Sequence, residues 1–233
     1  MAHGNRRLFC IASLLLAPQF DLAAEQPDET REAYVEAVDG DILIRPALNY
    51  NQLSLLIFDQ TKDNNTLVSF KPNNTLFTRV DVGYKGFGLG GSFNIPGSEK
   101  DKAEYGETRS TDFQFYYYGR KFGADIVYQR YEGFYAELGG VGGAFTTGLS
   151  ARGDLKMSNI GANAYYVFSD NFSMPASFRQ TERQKKLAYS FLLGGTVSHY
   201  TIAADRSLIP QSHQAAFAEY GNYSGGKYTT LSV

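Results

Sequence analysis

Between Leu76 and Tyr135 the residue types alternate with a period of two through strand after strand, and this regularity constrains the chain more than any other feature of it. Leu76, Thr78, Val80, Val82 and Tyr84 form one row, while the interleaved Arg79, Asp81, Gly83 and Lys85 are polar or small. Successive side chains of a strand point to opposite faces, so this segment has one apolar and one wet face. After a tight reversal at Tyr84-Lys85-Gly86 the rows resume as Phe87, Leu89, Gly91, Phe93 and Ile95 against Gly88, Gly90, Ser92 and Asn94. The two segments read as a hairpin. Phe113, Phe115 and Tyr117 then alternate with Asp112, Gln114 and Tyr116, and Ala124, Ile126 and Tyr128 with Asp125, Val127 and Gln129, across a short turn at Arg120-Lys121. Two architectures satisfy the pattern. The polar row either meets water outside a soluble sandwich or lines a barrel whose apolar face meets lipid.

Composition favours many short strands over helices, with 17 Tyr, 17 Phe, 24 Gly and no Trp in 233 residues. A chain of this length is commonly one barrel or sandwich domain. No apolar run approaches the ~18 residues of a spanning helix, which excludes a helical membrane protein. The negative mean hydropathy of −0.31 does not argue against a membrane barrel, because half of each strand would face a polar lumen.

Residues 1–24 carry the pattern of a secretory signal peptide: Arg6-Arg7, an apolar stretch from Leu8 to Ala17, and the small-residue region Leu22-Ala23-Ala24. Cleavage there removes Cys10, the single cysteine, and with it any disulfide or thiol site. The remaining mild acidic balance gives no sign of nucleic acid as a partner. Residues 25–40 are acidic and poor in apolar residues, as expected of a periplasmic tail, and 41–233 form the expected barrel domain.

Connection lengths alternate. The turns at Tyr84–Phe87, Arg120–Phe122 and Ser169–Phe172 are tight, whereas Ile95–Thr108 and Gly133–Arg152 are long, the latter carrying the glycine cluster Gly139, Gly140, Gly142 and Gly143. Short turns on one rim and long loops on the other are characteristic of bacterial outer-membrane barrels. Earlier in the chain, the apolar phase of Asp41–Phe58 slips by one near Asn51, which predicts a bulge or break. Further half-polar strands follow around Ile160–Phe168 and Tyr189–Ser198, while the segment from Ala203 is less patterned.

Candidate chemistry is sparse. Gly86, Gly88 and Gly91 satisfy G-x-G-x-x-G, but another alternating strand follows where a dinucleotide fold needs a helix, so these glycines are expected to leave lumen space for long side chains. His199 and His213 have no metal-ligand spacing, and no cofactor is expected. A serine–histidine–acid site on the barrel surface would need partners brought together in space. Arg152-Gly153-Asp154 matches an adhesion tripeptide too short to be informative. The five charges of Arg179–Lys186 read as a solvated loop, or as a contact to lipopolysaccharide phosphates. Arg79, Asp81, Lys85, Asp112, Asp125 and Gln129 are the residues expected to face inward. In a narrow barrel they pair and fill the lumen, and in a wide one they line a pore.

These residues also carry a resemblance. Phe70-Lys71-Pro72-Asn73, Tyr84-Lys85-Gly86-Phe87-Gly88, Tyr118-Gly119-Arg120-Lys121-Phe122, Tyr128 to Tyr135, and Gln180 to Lys186 leading into Ser190 to Gly195 occur in order over about Ile42 to Pro210. In this the chain resembles the domain-of-unknown-function family 4421, secreted proteins of Bacteroidetes-type Gram-negative bacteria expected to be outer-membrane barrels. The resemblance implies no catalytic residues. It also implies that the chain departs from the pattern after about Gln211, short of its closing strands.

The resulting expectation is an all-β, antiparallel up-and-down transmembrane β-barrel of about 8–10 strands in the outer membrane. Its partners would be outer-membrane lipid, lipopolysaccharide and, during insertion, the barrel-assembly machinery. A structural, binding or narrow transport role is expected. The alternatives are a barrel enzyme acting on lipid or lipopolysaccharide, and a soluble periplasmic β-protein binding a small ligand.

Overall fold

A computed structural model of the protein describes residues 31–38, 42–50, 53–58, 66–73, 76–95, 99–140, 145–211, 214, 217 and 221–233. The expected signal peptide, the first residues of the acidic tail, Gly142, Gly143 and His213 lie outside the described residues. A short helix α1 (Arg31–Tyr34) leads into β1 (Val35–Ala37). There follow β2 (Leu43–Tyr50), β3 (Leu55–Phe58), β4 (Thr66–Lys71), β5 (Leu76–Tyr84), β6 (Phe87–Asn94), α2 (Glu99–Tyr105), β7 (Arg109–Tyr118), β8 (Phe122–Gly140) and β9 (Phe145–Val167). A π-helical turn (Pro175–Arg179), β10 (Glu182–Gln184), β11 (Leu192–Ala203) and β12 (Gly225–Ser232) complete the chain.

The fold is all-β and antiparallel. One ten-stranded sheet runs in the order β12-β11-β9-β8-β7-β6-β5-β2, and β4 joins it by pairing with both β3 and β8. The predicted break near Asn51 separates β2 from β3. The ladder ends at β2 and β12, and among the described residues no pairing joins those edges. The expected closed barrel is therefore not what the described sheet forms. Pro46 lies in β2, where the end of the ladder tolerates a residue with no N–H to donate. At the opposite end, the weakly patterned segment after Ala203 supplies a full strand. Its register with β11, from Thr196↔Ser232 to Ala203↔Gly225, sets its conformation where alternation does not.

The alternation read from the sequence appears as burial. Along β5 every second residue is buried, from Phe77 to Gly83, and along β6 Gly88, Gly90 and Ser92 are buried between exposed Phe87, Leu89 and Phe93. The sheet is curved around its polar face. Arg179 reaches Asp81 on β5 and Asp125 on β8, each at 3.9 Å. Those strands are three ladder steps apart, about 14 Å in a flat sheet. One guanidinium spans the gap only because the walls bend toward each other.

Two of the expected connections differ. Gly133–Arg152 is not a long loop: β8 continues to Gly140 and β9 resumes at Phe145, with Gly139 paired to both Phe145 and Leu67. Inward Phe134, Ala136 and Leu155 pack into an apolar cluster there, and this burial overrides the glycine composition. At Gly133, with φ 85°, β8 bulges and changes neighbour from β7 to β4. A Cβ at that position would stand 2.1 Å from the Glu107 carbonyl oxygen. The junction is held by Thr108, whose hydroxyl donates to the Gly133 carbonyl and accepts from Asn73 N–H, each at 2.8 Å. Nor does a tight turn at Ser169–Phe172 join two wall strands. The connection from Phe168 to Phe191 folds back over the short-turn rim and contains the π-helical turn and β10.

The inner face is consequently layered. Phe70, Phe77, Tyr131, Phe134, Leu155, Met157, Ile202, Leu208, Ile209 and Phe217 form an apolar cluster toward the long-connection rim. A smaller one of Tyr116, Tyr118, Val167 and Met174 lies at the short-turn rim. Charged side chains occupy the space between.

Candidate functional site

Period two delivers the polar side chains of β5, β7, β8 and β9 to one enclosed layer. Arg79 donates to Asp81 from Nε at 3.0 Å and Nη2 at 2.8 Å, and Nη2 also donates to Gln114 Oε1 at 2.9 Å. Its Nη1 lies 3.9 Å from Asp112. Gln114 donates to Asp125 at 2.8 Å, and the Tyr118 hydroxyl donates to the same carboxylate at 2.7 Å. Gln129 donates to Asp112 at 3.0 Å and accepts from Asn159 at 3.3 Å. One connected network thus ties four wall strands together.

Five of the six residues expected inside therefore come together: Arg79, Asp81, Asp112, Asp125 and Gln129. Lys85 does not. It occupies the tip of the β5–β6 turn with φ 44°, is exposed, and lies with Nζ 5.1 Å from the centroid of the Tyr84 ring. The strand ends at Tyr84, so the alternation that points Arg79 and Asp81 inward stops one residue short of Lys85.

The cations that balance the carboxylates come from elsewhere. Arg45 on β2 donates to Asp81 at 3.3 Å. Arg179 belongs to the π-helical turn, which inserts it from the short-turn rim. It is 9% exposed, its guanidinium carbon lies 3.6 Å from the centroid of the Tyr116 ring, and it sits between Asp81 and Asp125. The run Arg179–Lys186 is thus no uniform solvated loop. Its first residue is part of the interior, Glu182 pairs with Arg31 at 3.0 Å, and only Arg183, Lys185 and Lys186 keep exposed charges. The sequence signal for the missing cations was the surplus of inward aspartates over Arg79.

The inserted segment is anchored. β1 pairs with β10 from Val35↔Gln184 to Ala37↔Glu182. Arg31 donates to the Asp170 carbonyl at 2.5 Å, and Gln184 donates to the Asn171 carbonyl at 2.8 Å. The short-turn rim of the sheet is therefore covered by the N-terminal segment and by the connection from β9 to β11.

Glycines make room for this packing. A Cβ on Gly88 would fall 1.9 Å from the Tyr116 ring, and one on Gly90 would fall 2.1 Å from Arg79 Nη2. Of the glycines in the G-x-G-x-x-G match, Gly88 is such a spacer, whereas Gly86 lies in the β5–β6 turn with φ 85° and Gly91 sits on the outer face beside Phe113. Within the polar layer lies an open pocket of about 420 Å³, lined by Arg45, Asn49, Arg79, Asp112, Gln114 and Gln129 among others. Its charged lining is already paired within the wall.

Other candidates resolve simply. His199 faces outward and shares a 3.0 Å hydrogen bond with Thr229. Among the described residues no group of His, Cys, Asp or Glu could hold a metal ion. Arg152 of the adhesion-like tripeptide is buried, clamping Asp154 at 2.8 Å and the Ser207 carbonyl at 2.9 Å. The outer face is the reverse of the inner one: Ile44, Leu48, Val82, Leu89, Phe93, Phe115, Phe122, Ile126 and Ile160 are all exposed.

No curated protein and no solved structure matches the chain. A family model does, over residues 27–233. It extends past Ile42–Pro210 on both sides and runs through the segment after Gln211, so the expected departure there does not occur. The chain belongs to the family described as Domain of unknown function (DUF4421).

Proposed function

We propose that this protein is an outer-membrane β-barrel with a filled interior, acting at the membrane as a structural or binding protein and not as an open pore. The observation that carries this reading is the inversion of polarity across the wall. Asp81, Asp112 and Asp125 are at most 5% exposed, whereas Leu89 is 56% and Phe93 59% exposed on the other face. A soluble sandwich would bury that apolar face under a second layer, and among the described residues no element covers it.

The dimensions agree with a bilayer. β5 has nine residues, rising about 27 Å along the strand and about 20 Å across a layer at a typical barrel tilt of ~40°, close to the ~25 Å apolar band of such barrels. Aromatic rings gather on the outer face at the short-turn rim, where Phe87 meets Tyr117 at 4.6 Å and Tyr166 meets Phe168 at 4.9 Å between centroids. Such girdles mark the membrane interface. Closure in lipid joins the free edges of β2 and β12, because unpaired backbone is costly in hydrocarbon. The order of the sheet lets them meet antiparallel. The filled interior follows from the paired network and the Arg179 segment over one mouth.

The test is gel migration of the membrane-extracted protein with and without boiling, followed by conductance in a planar bilayer. A fast band that shifts on heating, with no steady conductance, supports the proposal. A soluble protein without a heat-dependent shift refutes the membrane reading, and large stable conductance refutes the filled interior.

A further inference from the structure

From β7 to β12 the apolar outer face gives way, toward the long-connection rim, to polar and mainly basic residues. Arg109, Glu132 and Lys156 are register partners on β7, β8 and β9. One outward position closer to the apolar band, Arg130 and Lys227 lie in a second row, linked through Ser158 and Thr201. Directly below them on the same face are exposed Phe113, Tyr128 and Ile160. The patch therefore sits where the apolar wall gives way to water. Across β7 to β12 it spans about 19 Å of wall.

Its charge is not cancelled internally. Glu132 accepts from Arg130 Nε at 2.9 Å, and Glu107 lies 3.7 Å from Arg109. Arg109, Arg130, Lys156 and Lys227 still outnumber these carboxylates, and all four are exposed. Guanidinium and ammonium groups at such a boundary make charge-assisted hydrogen bonds to phosphate, and each basic residue adds to the attraction for an anionic surface.

The geometry points to this patch as a docking surface for the phosphate groups of lipopolysaccharide in the leaflet facing the long connections. The inference rests on the membrane reading above and adds the partner and the residues that hold it. It also relocates the phosphate contact. The exposed part of the Arg179–Lys186 run lies at the opposite, short-turn rim.

The test inserts the full chain into phosphatidylcholine vesicles, scores insertion by the heat-dependent gel shift, and titrates with labelled lipopolysaccharide. The variant R109Q/R130Q/K156Q/K227Q is expected to insert normally and to bind lipopolysaccharide at least about tenfold more weakly. K85Q/K121Q, at the other rim, is expected to bind as the unaltered protein does. Should the fourfold variant fail to insert, the single changes Lys156→Gln and Lys227→Gln at exposed positions report the same loss at smaller size. Undiminished binding by these variants overturns the docking surface while leaving the barrel intact. Equal competition by phosphatidylglycerol overturns the assignment to lipopolysaccharide. Failure of the unaltered chain to insert overturns the membrane reading and the docking surface together.

Discussion

The guanidinium of Arg179 lies 3.6 Å from the centroid of the Tyr116 ring, although Arg179 belongs to an inserted turn and Tyr116 to a wall strand. The contact combines cation–π attraction with partial neutralisation of Asp81 and Asp125. Removing one partner from a buried charged cluster leaves the others uncompensated. Arg179→Met is expected to destabilise the folded protein by roughly 3 kcal/mol, read as a lower urea midpoint in detergent. The same variant is expected to show conductance events where the unaltered protein shows none, because the short-turn mouth loses the side chain that fills it.

Gly90 pairs with Asp81 across the β5–β6 ladder and leaves no room for a methyl group beside the Arg79 guanidinium: a Cβ would lie 2.1 Å from Arg79 Nη2 and 2.3 Å from Asp81 Oδ1. Gly90→Ala must push the guanidinium off its carboxylate or part the strands, at about 1–3 kcal/mol. Gly153→Ala is the control, since nothing lies within 4 Å of its Cβ position. Chemical denaturation of the two variants should separate them clearly, with the control within about 0.5 kcal/mol of the parent.

Much of this interior was legible in the sequence because a strand has only two faces. Once Val80 and Val82 point out, Arg79 and Asp81 must point in, and the same reasoning placed Asp112, Asp125 and Gln129. Lys85 escaped it because the ladder ends at Tyr84 and a turn residue has no assigned face. Arg179 escaped it because a non-strand insertion carries no period, and only the surplus of inward aspartates pointed to a missing cation. The strands through Gly139 and Gly140 were hidden by composition, since glycines read as loop until the packing of Phe134 and Leu155 is known.

At the short-turn rim, Asp170 is bracketed by Lys121 Nζ at 3.0 Å and Arg120 Nε at 2.8 Å. The Lys121 ammonium, with Arg120 beside it, holds this carboxyl below the ordinary aspartate value of 3.8. A depressed folded-state value means that the clamp stabilises the protein above the unfolded pKa and that this contribution is lost as pH falls through the folded one. The pair is largely exposed, so the effect is small, below about 1 kcal/mol, and weakens with salt. NMR titration of Asp170 should show the depression, and Lys121→Gln should move the midpoint back toward 3.8.

Val80 separates the two environments proposed for the outer face. It is the central residue of β5, 38% exposed, with Pro46 and Gly91 as its neighbours across the ladder. If water covers this face, Val80→Arg replaces one exposed side chain with another and changes stability by no more than about 0.5 kcal/mol. If lipid covers it, the arginine stands near the bilayer midplane and costs about 2–4 kcal/mol. Folding equilibria in phosphatidylcholine vesicles are expected to show the larger penalty. Arginine at Thr78, on the same face nearer the long-connection rim, is expected to cost markedly less, since the penalty falls toward the interface. A depth-dependent cost of this kind has no counterpart on a water-exposed sheet, so equal and negligible effects at both positions would rule out lipid contact along β5.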